Sequence, residues 1–354
     1  MAEILGIGVS HYPPFSGTDK DMANIVRHRL NDPDLPAHWK DMAQWPQEMR
    51  KEWGDDEGEK SAKLHREDML SGMRRCMDEI RAFNPDFCII WGDDQYENFK
   101  EDIIPPFCVL AYDDMQVKPW AQAQESADMT GKANVWGESA DTSFEIKFPK
   151  AAAKHLVSEL LKAEFDVSYA YKPLNHPGIA HAFLNAILYL DYDRNGFPYP
   201  IIPFPINCYG ERVISYRGFV SALGDKREFD PPSPSPKRCF DLGAEVARIC
   251  KESPYRVALI ASSSWSHAFL CDKTSRMMPD IEFDKKMYAA LQRNDYESWK
   301  NTSLDAITAS GNQEMLNWMP LMGAMDAIGA KVKWSDFVQT HIFNSSKVAA
   351  VYKT

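Results

Sequence analysis

The sequence predicts an α/β fold, with a central, mostly parallel or mixed sheet flanked by helices. Short apolar runs of strand length alternate along the chain with amphipathic segments of helical length, which is typical of this fold class. The chain has 354 residues, of which 44% are hydrophobic, enough to bury a large core. It contains no long linker, so we expect a single domain over residues 1–354.

The individual elements follow from the apolar pattern in chain order. Apolar runs predict buried strands at residues 4–10, 86–92, 107–112, 166–172, 200–207 and 256–264. Segments with apolar residues three or four positions apart predict helices at residues 63–83, 150–164, 178–190, 241–253, 285–293 and 313–325. The chain shows no repeat and no glycine-rich phosphate-binding loop.

Two regions interrupt the alternation. Residues 18–83 begin with a stretch dense in charge and tryptophan, and we expect a mostly helical insertion or lid. Trp39, Trp45 and Trp53 in this insertion are candidates either for a hydrophobic cover over a site or for ordinary core packing. Residues 230–238 are rich in proline and predict a loop that leads into the next helix.

Composition excludes several classes of function. The formal charge of −11 and the absence of a basic patch argue against nucleic acid as a partner. No apolar run reaches the roughly 20 residues of a membrane span, and no secretory signal is visible, so we expect a cytoplasmic protein. The seven cysteines form no CxxC pair, which argues against a zinc ribbon or a disulfide framework.

Three histidines stand where predicted strands have just ended. His11 follows the first strand, His176 lies in "PLNHPG", and His267 lies in "SSSWSHAF". A lone histidine in such a place is more often a polar core residue than a ligand. Because the carboxyl ends of parallel strands converge on one crevice, the three together predict a functional site. His65 would join them if the insertion acts as a lid.

Carboxylates and an amide mark two further candidates. The stretch "FCIIWGDDQYENF" ends a buried strand in a polar turn that holds Asp94 and Gln95, and this turn fits either a helix cap or a cation site. Glu282 lies between Ile281 and Phe283 just before a helix, where an acid is also favoured by the helix dipole.

The motifs taken together resemble the class III extradiol ring-cleavage dioxygenases, the family of the protocatechuate 4,5-dioxygenase β subunit. The resemblance covers most of the chain outside residues 18–83. The matching stretches, in the order of the family, are "GIGVSHYP", "NPDFCIIWGDDQYENF", "IIPPF", "NHPG", "IIPFPIN", "PSPKRCFDLG", "SSSWSHAF", "IEFDKKM" and "ASGNQEMLNW".

The resemblance implies a non-haem metal centre of two histidines and one glutamate. Fe(II) is the metal it implies, with Mn(II) or another divalent ion as alternatives. His11 matches the first histidine ligand and Glu282 matches the glutamate. Gln95 stands where the family has its second histidine, with Asp94 beside it as an alternative ligand and His65 as a possible replacement.

The resemblance also implies roles outside the metal ligands. His176 matches the acid/base histidine, His267 matches the histidine of the family's Ser-His turn, and Asn312 falls where a polar residue contacts substrate substituents. The implied reaction is the insertion of O₂ next to the diol of a catechol-like aromatic substrate, as in aromatic catabolism. We expect a homo-oligomer, most simply a dimer. The resemblance also implies a cover over the site, either by a small partner subunit or by the insertion.

Two other functions remain open because of Gln95. One is a catalytically silent subunit that keeps the fold and has lost the metal. The other is a divalent-metal hydrolase or lyase on the same scaffold, since oxygen ligands suit a metal that activates water.

Overall fold

The fold is a mixed sheet between helical layers. The computed structural model describes residues 2–123, 131–217, 222–225 and 227–353. Its strands are β1 (Ile4–Val9), β2 (Phe87–Asp93), β3 (Cys108–Leu110), β4 (Met115–Val117), β5 (Phe144–Ile146), β6 (Ser168–Ala170), β7 (Ile201–Ile206), β8 (Val257–Ser262), β9 (Lys331–Val338) and β10 (Lys347–Lys353). Its α-helices are α1 (Asn24–Leu30), α2 (Ala37–Lys40), α3 (Gln47–Trp53), α4 (Glu59–Phe83), α5 (Pro119–Ala123), α6 (Lys150–Lys162), α7 (His181–Leu190), α8 (Pro236–Glu252), α9 (Ile281–Gln292), α10 (Tyr296–Lys300), α11 (Leu304–Ala309) and α12 (Trp318–Ala327).

The central sheet has the order β7-β2-β8-β1-β10-β9. The first four strands run parallel to one another. β10 is antiparallel to both β1 and β9. The predicted fold class, a mixed sheet flanked by helices, is confirmed. The extent of a single domain over 1–354 stays a prediction.

Both faces of the sheet are covered by helices. Alternate side chains of a strand point to opposite faces, and in β2 Ile89 and Trp91 join the apolar cluster of α8 and α12. Cys88 and Ile90 join the other cluster, which contains α4 and α7. The strands are therefore buried on both sides, which leaves their carboxyl ends as the edge where polar groups can collect.

The insertion is helical, as predicted, and runs from a short 3₁₀ turn at Asp19–Asp21 to the end of α4. Its tryptophans Trp39, Trp45 and Trp53 are buried in the cluster that also contains β1 and α4. The structure therefore places them in core packing. Among the described residues, no helix is long and apolar enough to cross a membrane.

Several elements differ from the prediction. β3 and β6 are not part of the central sheet and pair in parallel with each other. β9 and β10, which the sequence did not predict, complete the sheet. Helix α8 starts earlier than predicted, at Pro236, because Ser235 caps it: its hydroxyl accepts the N–H of Arg238.

Candidate metal centre at the carboxyl edge of the sheet

His11 lies just beyond β1, at the carboxyl edge of the sheet. Its Nδ1 is 3.0 Å from the hydroxyl oxygen of Ser262, the last residue of β8. That hydroxyl donates its own proton to the carbonyl of Ala182 at 2.7 Å, so its oxygen must accept from His11. The ring proton of neutral His11 is therefore on Nδ1, and Nε2 carries a free lone pair.

Two buried carboxylates face that lone pair. Nε2 of His11 is 3.3 Å from Oε2 of Glu314 and 3.8 Å from Oδ1 of Asp93, and all three side chains are almost fully buried. Burial lowers the pKa of His11 to about 4, so the ring is neutral at neutral pH. The lone pair of His11 Nε2 thus faces two carboxylate oxygens, an arrangement that a cation would stabilise.

The carboxylate of Glu314 is held from several sides. Its Oε1 accepts the hydroxyl of Tyr209 at 2.7 Å and lies 3.2 Å from Nε2 of His267. Its Oε2 accepts the N–H of Ser264 at 3.2 Å. Burial opposes ionisation, but His267 and His11 outweigh it and hold the pKa of Glu314 below its ordinary value. Glu314 is therefore a fixed, ionised group.

Asp93 ends β2 and leaves one oxygen unused. Its Oδ1 accepts the amide of Asn317 at 3.1 Å, whereas Oδ2 is buried without a hydrogen-bond partner among the described residues. Burial and the nearby charge of Glu314 raise the pKa of Asp93 well above its ordinary value. A buried carboxylate oxygen without a partner is costly, and a divalent metal would satisfy it.

His181 adds a second imidazole to the cluster. It is the first residue of α7, and its ligand atom lies within 4.8 Å of those of His11 and Asp93. The rings of His181 and His11 meet edge to face, with centroids 5.1 Å apart. Burial lowers the pKa of His181, but Glu97, Asp93 and Glu314 outweigh this effect and raise it to about 10.

His176 lies in the loop before α7 and is half-buried. Its Nδ1 accepts the N–H of Gly178 at 3.1 Å. The loop is tied to the turn after β2, because Oδ1 of Asn98 accepts the N–H of Leu174 at 2.7 Å. Glu97 of the same turn lies close enough to His176 for their charges to interact. The structure thus brings His11, His176 and His267 to the same edge of the sheet.

The residues of the polar turn after β2 have different roles. The Asp94 carboxylate accepts the backbone N–H groups of Glu97, Asn98 and Phe99 at 3.0–3.1 Å. Asp94 therefore caps the turn, and its neighbour Asp93 is the residue that faces His11. Gln95 is half-buried in this turn, and its role as a ligand stays a prediction.

The structure does not bring Glu282 to the cluster. Its side chain is 86% exposed and pairs with Lys285, because it lies in the first turn of α9 with its side chain toward solvent. Glu314 contacts His11 instead. The carboxylate assignment therefore moves from Glu282 to Glu314, which lies in the matched stretch "ASGNQEMLNW".

Two other predicted residues are buried beside the site. Asn312 lies two positions before Glu314 and donates to Oδ1 of Asp284 at 3.0 Å, while its own Oδ1 has no hydrogen-bond partner among the described residues. His65 is buried on α4 with its ring against Phe343, 5.0 Å between centroids. It is not a member of the metal-ligand group found among the described residues.

Sequence reasoning missed Glu314 and His181, and it did not single out Asp93 or Glu97 in the polar turn after β2. Asp93 had a signal, since it directly follows the strand predicted at residues 86–92. His181 lies inside a segment that was predicted as a helix, residues 178–190. The fact that α7 begins at His181, with its ring at the sheet edge, is not visible in the apolar pattern.

The fold and this geometry define an α/β protein with a buried centre of imidazoles and carboxylates that fits a divalent metal. Comparison with known proteins agrees with that class. Residues 230–351 match the family model described as the catalytic LigB subunit of aromatic ring-opening dioxygenase.

Curated relatives extend the similarity toward the N-terminus. Three of them are named 2,3-dihydroxyphenylpropionate/2,3-dihydroxicinnamic acid 1,2-dioxygenase. The protein from Photorhabdus laumondii is 22% identical over 58% of this chain and 50% of its own length. Those from Burkholderia vietnamiensis and Cupriavidus necator are 23% and 24% identical over 72% and 71% of this chain, and over 80% of their own lengths.

The alignments thus span about half the length of the first of these relatives and most of the others. The resemblance predicted from the sequence is confirmed: the chain is similar to ring-opening dioxygenases over residues 230–351 and to named extradiol dioxygenases at 22–24% identity.

Proposed function

We propose that this chain is a metal-dependent dioxygenase that opens a catechol-like aromatic ring by inserting O₂ next to the diol. The observation that carries the proposal is the free lone pair of His11 Nε2, which faces the buried carboxylates of Glu314 and Asp93. This centre lies at the edge of the sheet where His176 and His267 also collect. The similarity to dioxygenases named for dihydroxyphenyl substrates supports the same reaction.

A divalent metal would be held around His11 by groups drawn from Asp93, His181 and Glu314. Fe(II) is the proposed metal, because imidazole and carboxylate ligands with open positions suit Fe(II) oxygenases; Mn(II) is the second choice. When bound, the metal supplies a template for the diol and O₂ and a path for charge between them.

The protein's own groups fix this centre in place. The Ser262 hydroxyl holds the His11 ring through Nδ1, and Tyr209 and His267 hold Glu314 through Oε1. Such partners keep ligands oriented before substrate arrives. His267 Nδ1 is buried without a hydrogen-bond partner among the described residues, which leaves it available to a group of the substrate.

His176 is the proposed acid/base group. Its Nδ1 accepts from Gly178, so in the neutral ring the proton sits on Nε2, which can donate to a substrate oxygen. Taking a proton from the substrate requires the bond to Gly178 to open. A half-buried loop permits this change more readily than the packed positions of His11 and His267.

The remaining properties of the proposed enzyme follow from its class. The substrates are a small aromatic diol and O₂, and the relatives' names make 2,3-dihydroxyphenylpropionate one compound to test first. A dimer, a small partner subunit and a cytoplasmic location stay predictions from the sequence.

The test is reconstitution without oxygen, with Fe(II) or Mn(II), followed by a panel of catechols, gallates, aminophenols and dihydroxypyridines. Oxygen uptake with a coloured ring-fission product supports the proposal. Stoichiometric metal without oxygen uptake on any compound favours a hydrolase or lyase. If the protein binds no divalent metal, the silent subunit is the better account and the proposal fails.

A further inference from the structure

The turn that would carry a second histidine ligand carries Gln95 instead, and a second imidazole reaches the centre from another element. That imidazole belongs to His181, at the start of α7. Its ligand atom and those of His11 and Asp93 all lie within 4.8 Å of one another. Atoms that bind one metal at about 2.0–2.2 Å must lie within about 4.4 Å of each other, so a small adjustment would complete the set.

The hydrogen bonds of His181 determine which of its ring nitrogens could bind a metal. Oε2 of Glu97 lies 2.8 Å from Nδ1 of His181, and Oε1 of Glu97 accepts the backbone N–H of the same residue at 2.9 Å. Both oxygens of one carboxylate thus hold one histidine. Because the carboxylate can only accept, Nδ1 carries a proton. The acidic neighbours that raise the pKa of His181 also favour a proton on Nε2, so a metal would bind at Nε2 by displacing that proton.

This pairing has the form of a metal-binding histidine. Ligating imidazoles generally donate the other ring N–H to a carboxylate, carbonyl or hydroxyl group, which fixes the ring and its tautomer. His11 is held in this way by Ser262, and His181 is held by Glu97. The two rings meet edge to face, as two imidazoles directed at one point would.

We propose that His181, oriented by Glu97, supplies the second histidine ligand of the metal centre in place of the residue at position 95. The centre then has two histidines, His11 and His181, with Asp93 and Glu314 as the carboxylates next to them. Glu97 is a positioning residue. This inference rests on the metal-dependent function proposed above, but it concerns which residues bind the ion.

The test is a titration with Co(II) followed by its visible absorption, which reports affinity and the nitrogen ligands without any turnover. His181→Ala is expected to weaken binding by more than the ~10–100-fold typical of losing an orienting partner, and Glu97→Gln by about that amount. Gln95→Ala is expected to weaken Co(II) binding much less than His181→Ala does. His155→Ala, on the exposed side of α6, is the control that should match the wild type.

A second variant separates a lost ligand from a damaged fold. In His181→Gly, added imidazole should restore Co(II) binding, because the free ring fills the space of the missing one. The proposal is overturned if His181→Ala binds Co(II) as the wild type does, or if the wild type binds no metal. It is also overturned if Gln95→Ala loses more Co(II) affinity than His181→Ala. If binding follows His181 but Fe(II)-loaded protein consumes no O₂, the dioxygenase proposal fails and this one stands.

Discussion

His11 is the residue around which the candidate site is built. Its Nδ1 donates to Ser262, and its Nε2 faces two carboxylates. The position of His11 after a buried strand indicated a functional site, and the family resemblance implied that it is a metal ligand. The resemblance implied Glu282 as the carboxylate ligand, whereas the structure places Glu314 against His11, because the burial of an acid depends on the fold.

Replacing Glu314 by Gln tests that assignment. The amide keeps the size of the side chain but removes the charge that faces His11, and amide oxygens are weaker ligands for Fe(II). We expect metal affinity to fall by at least ~10-fold, measured by equilibrium dialysis. Glu282→Gln is the matched control, since Glu282 is 86% exposed. Equal losses in both variants would return Glu282 to the site.

Replacing His176 by Ala tests the acid/base role. A group that moves a proton in the transition state typically contributes about 10²–10⁴-fold in rate, so kcat should fall by that factor with metal content unchanged. Steady-state oxygen uptake measures the rate, and His155→Ala on exposed α6 is the control. Unchanged turnover in His176→Ala would remove this residue from the mechanism.

Asp284 makes stability depend on pH. It is fully buried, and burial raises its pKa from 3.8 to about 7. The folded protein therefore keeps a proton that the unfolded chain releases, so this stabilisation is complete below about pH 4 and is lost as pH rises toward 7. The loss is at most about 4 kcal/mol in the free energy of unfolding.

Asp284→Asn should remove this dependence. The amide oxygen can still accept from Ser266 and Asn312, the partners of Oδ1 in the wild type. Urea unfolding at pH 5 and pH 8 should show a smaller fall in stability in the variant than in the wild type. The exposed control Glu282→Gln should keep the wild-type dependence of unfolding free energy on pH. If Asp284→Asn keeps it as well, Asp284 is not its source.

At the scale of elements, the apolar pattern predicted the strands that are buried on both faces. β1, β2, β7 and β8 are continuous apolar runs, so burial alone identifies them. β9 alternates charged and apolar residues in "KVKWSDFV" at the edge of the sheet, and β10 is rich in alanine, which is a weak strand former. The apolar pattern did not predict β9 and β10, because these strands are recognisable only from their pairing with neighbouring strands.

The pairing of α8 with α12 depends on two glycines. A Cβ on Gly243 would lie 1.9 Å from the carbonyl oxygen of Pro320, and one on Gly323 would lie 1.9 Å from that of Phe240. The helices therefore touch backbone to backbone, and a methyl group can fit only if they move apart.

Gly243→Ala should destabilise the fold by about 1–3 kcal/mol or more, the usual cost of overpacking. Urea unfolding measures the change. Ala244→Ser is the control, because it also adds one atom to α8 but at a half-buried position. A variant as stable as the wild type would show that the two helices separate without cost.

At the scale of the whole molecule, the site joins segments that are far apart in sequence. His11, the turn after β2, the start of α7, His267 and Glu314 meet only when the parallel strands are in register. The sequence predicted the edge at which they meet, from strands that end in polar residues. It could not predict the contacts, such as the pairing of Glu97 with His181, because helix starts and side-chain burial are set by packing.

We propose that this edge of the sheet opens an aromatic ring with O₂. The most direct measurement is mass spectrometry of the product formed by the Fe(II)-loaded protein from a catechol under ¹⁸O₂, quenched before oxygen exchanges with water. We expect a ring-opened product that carries both labelled oxygen atoms. A product labelled only from water, or no ring-opened product from any catechol in the panel, would contradict it.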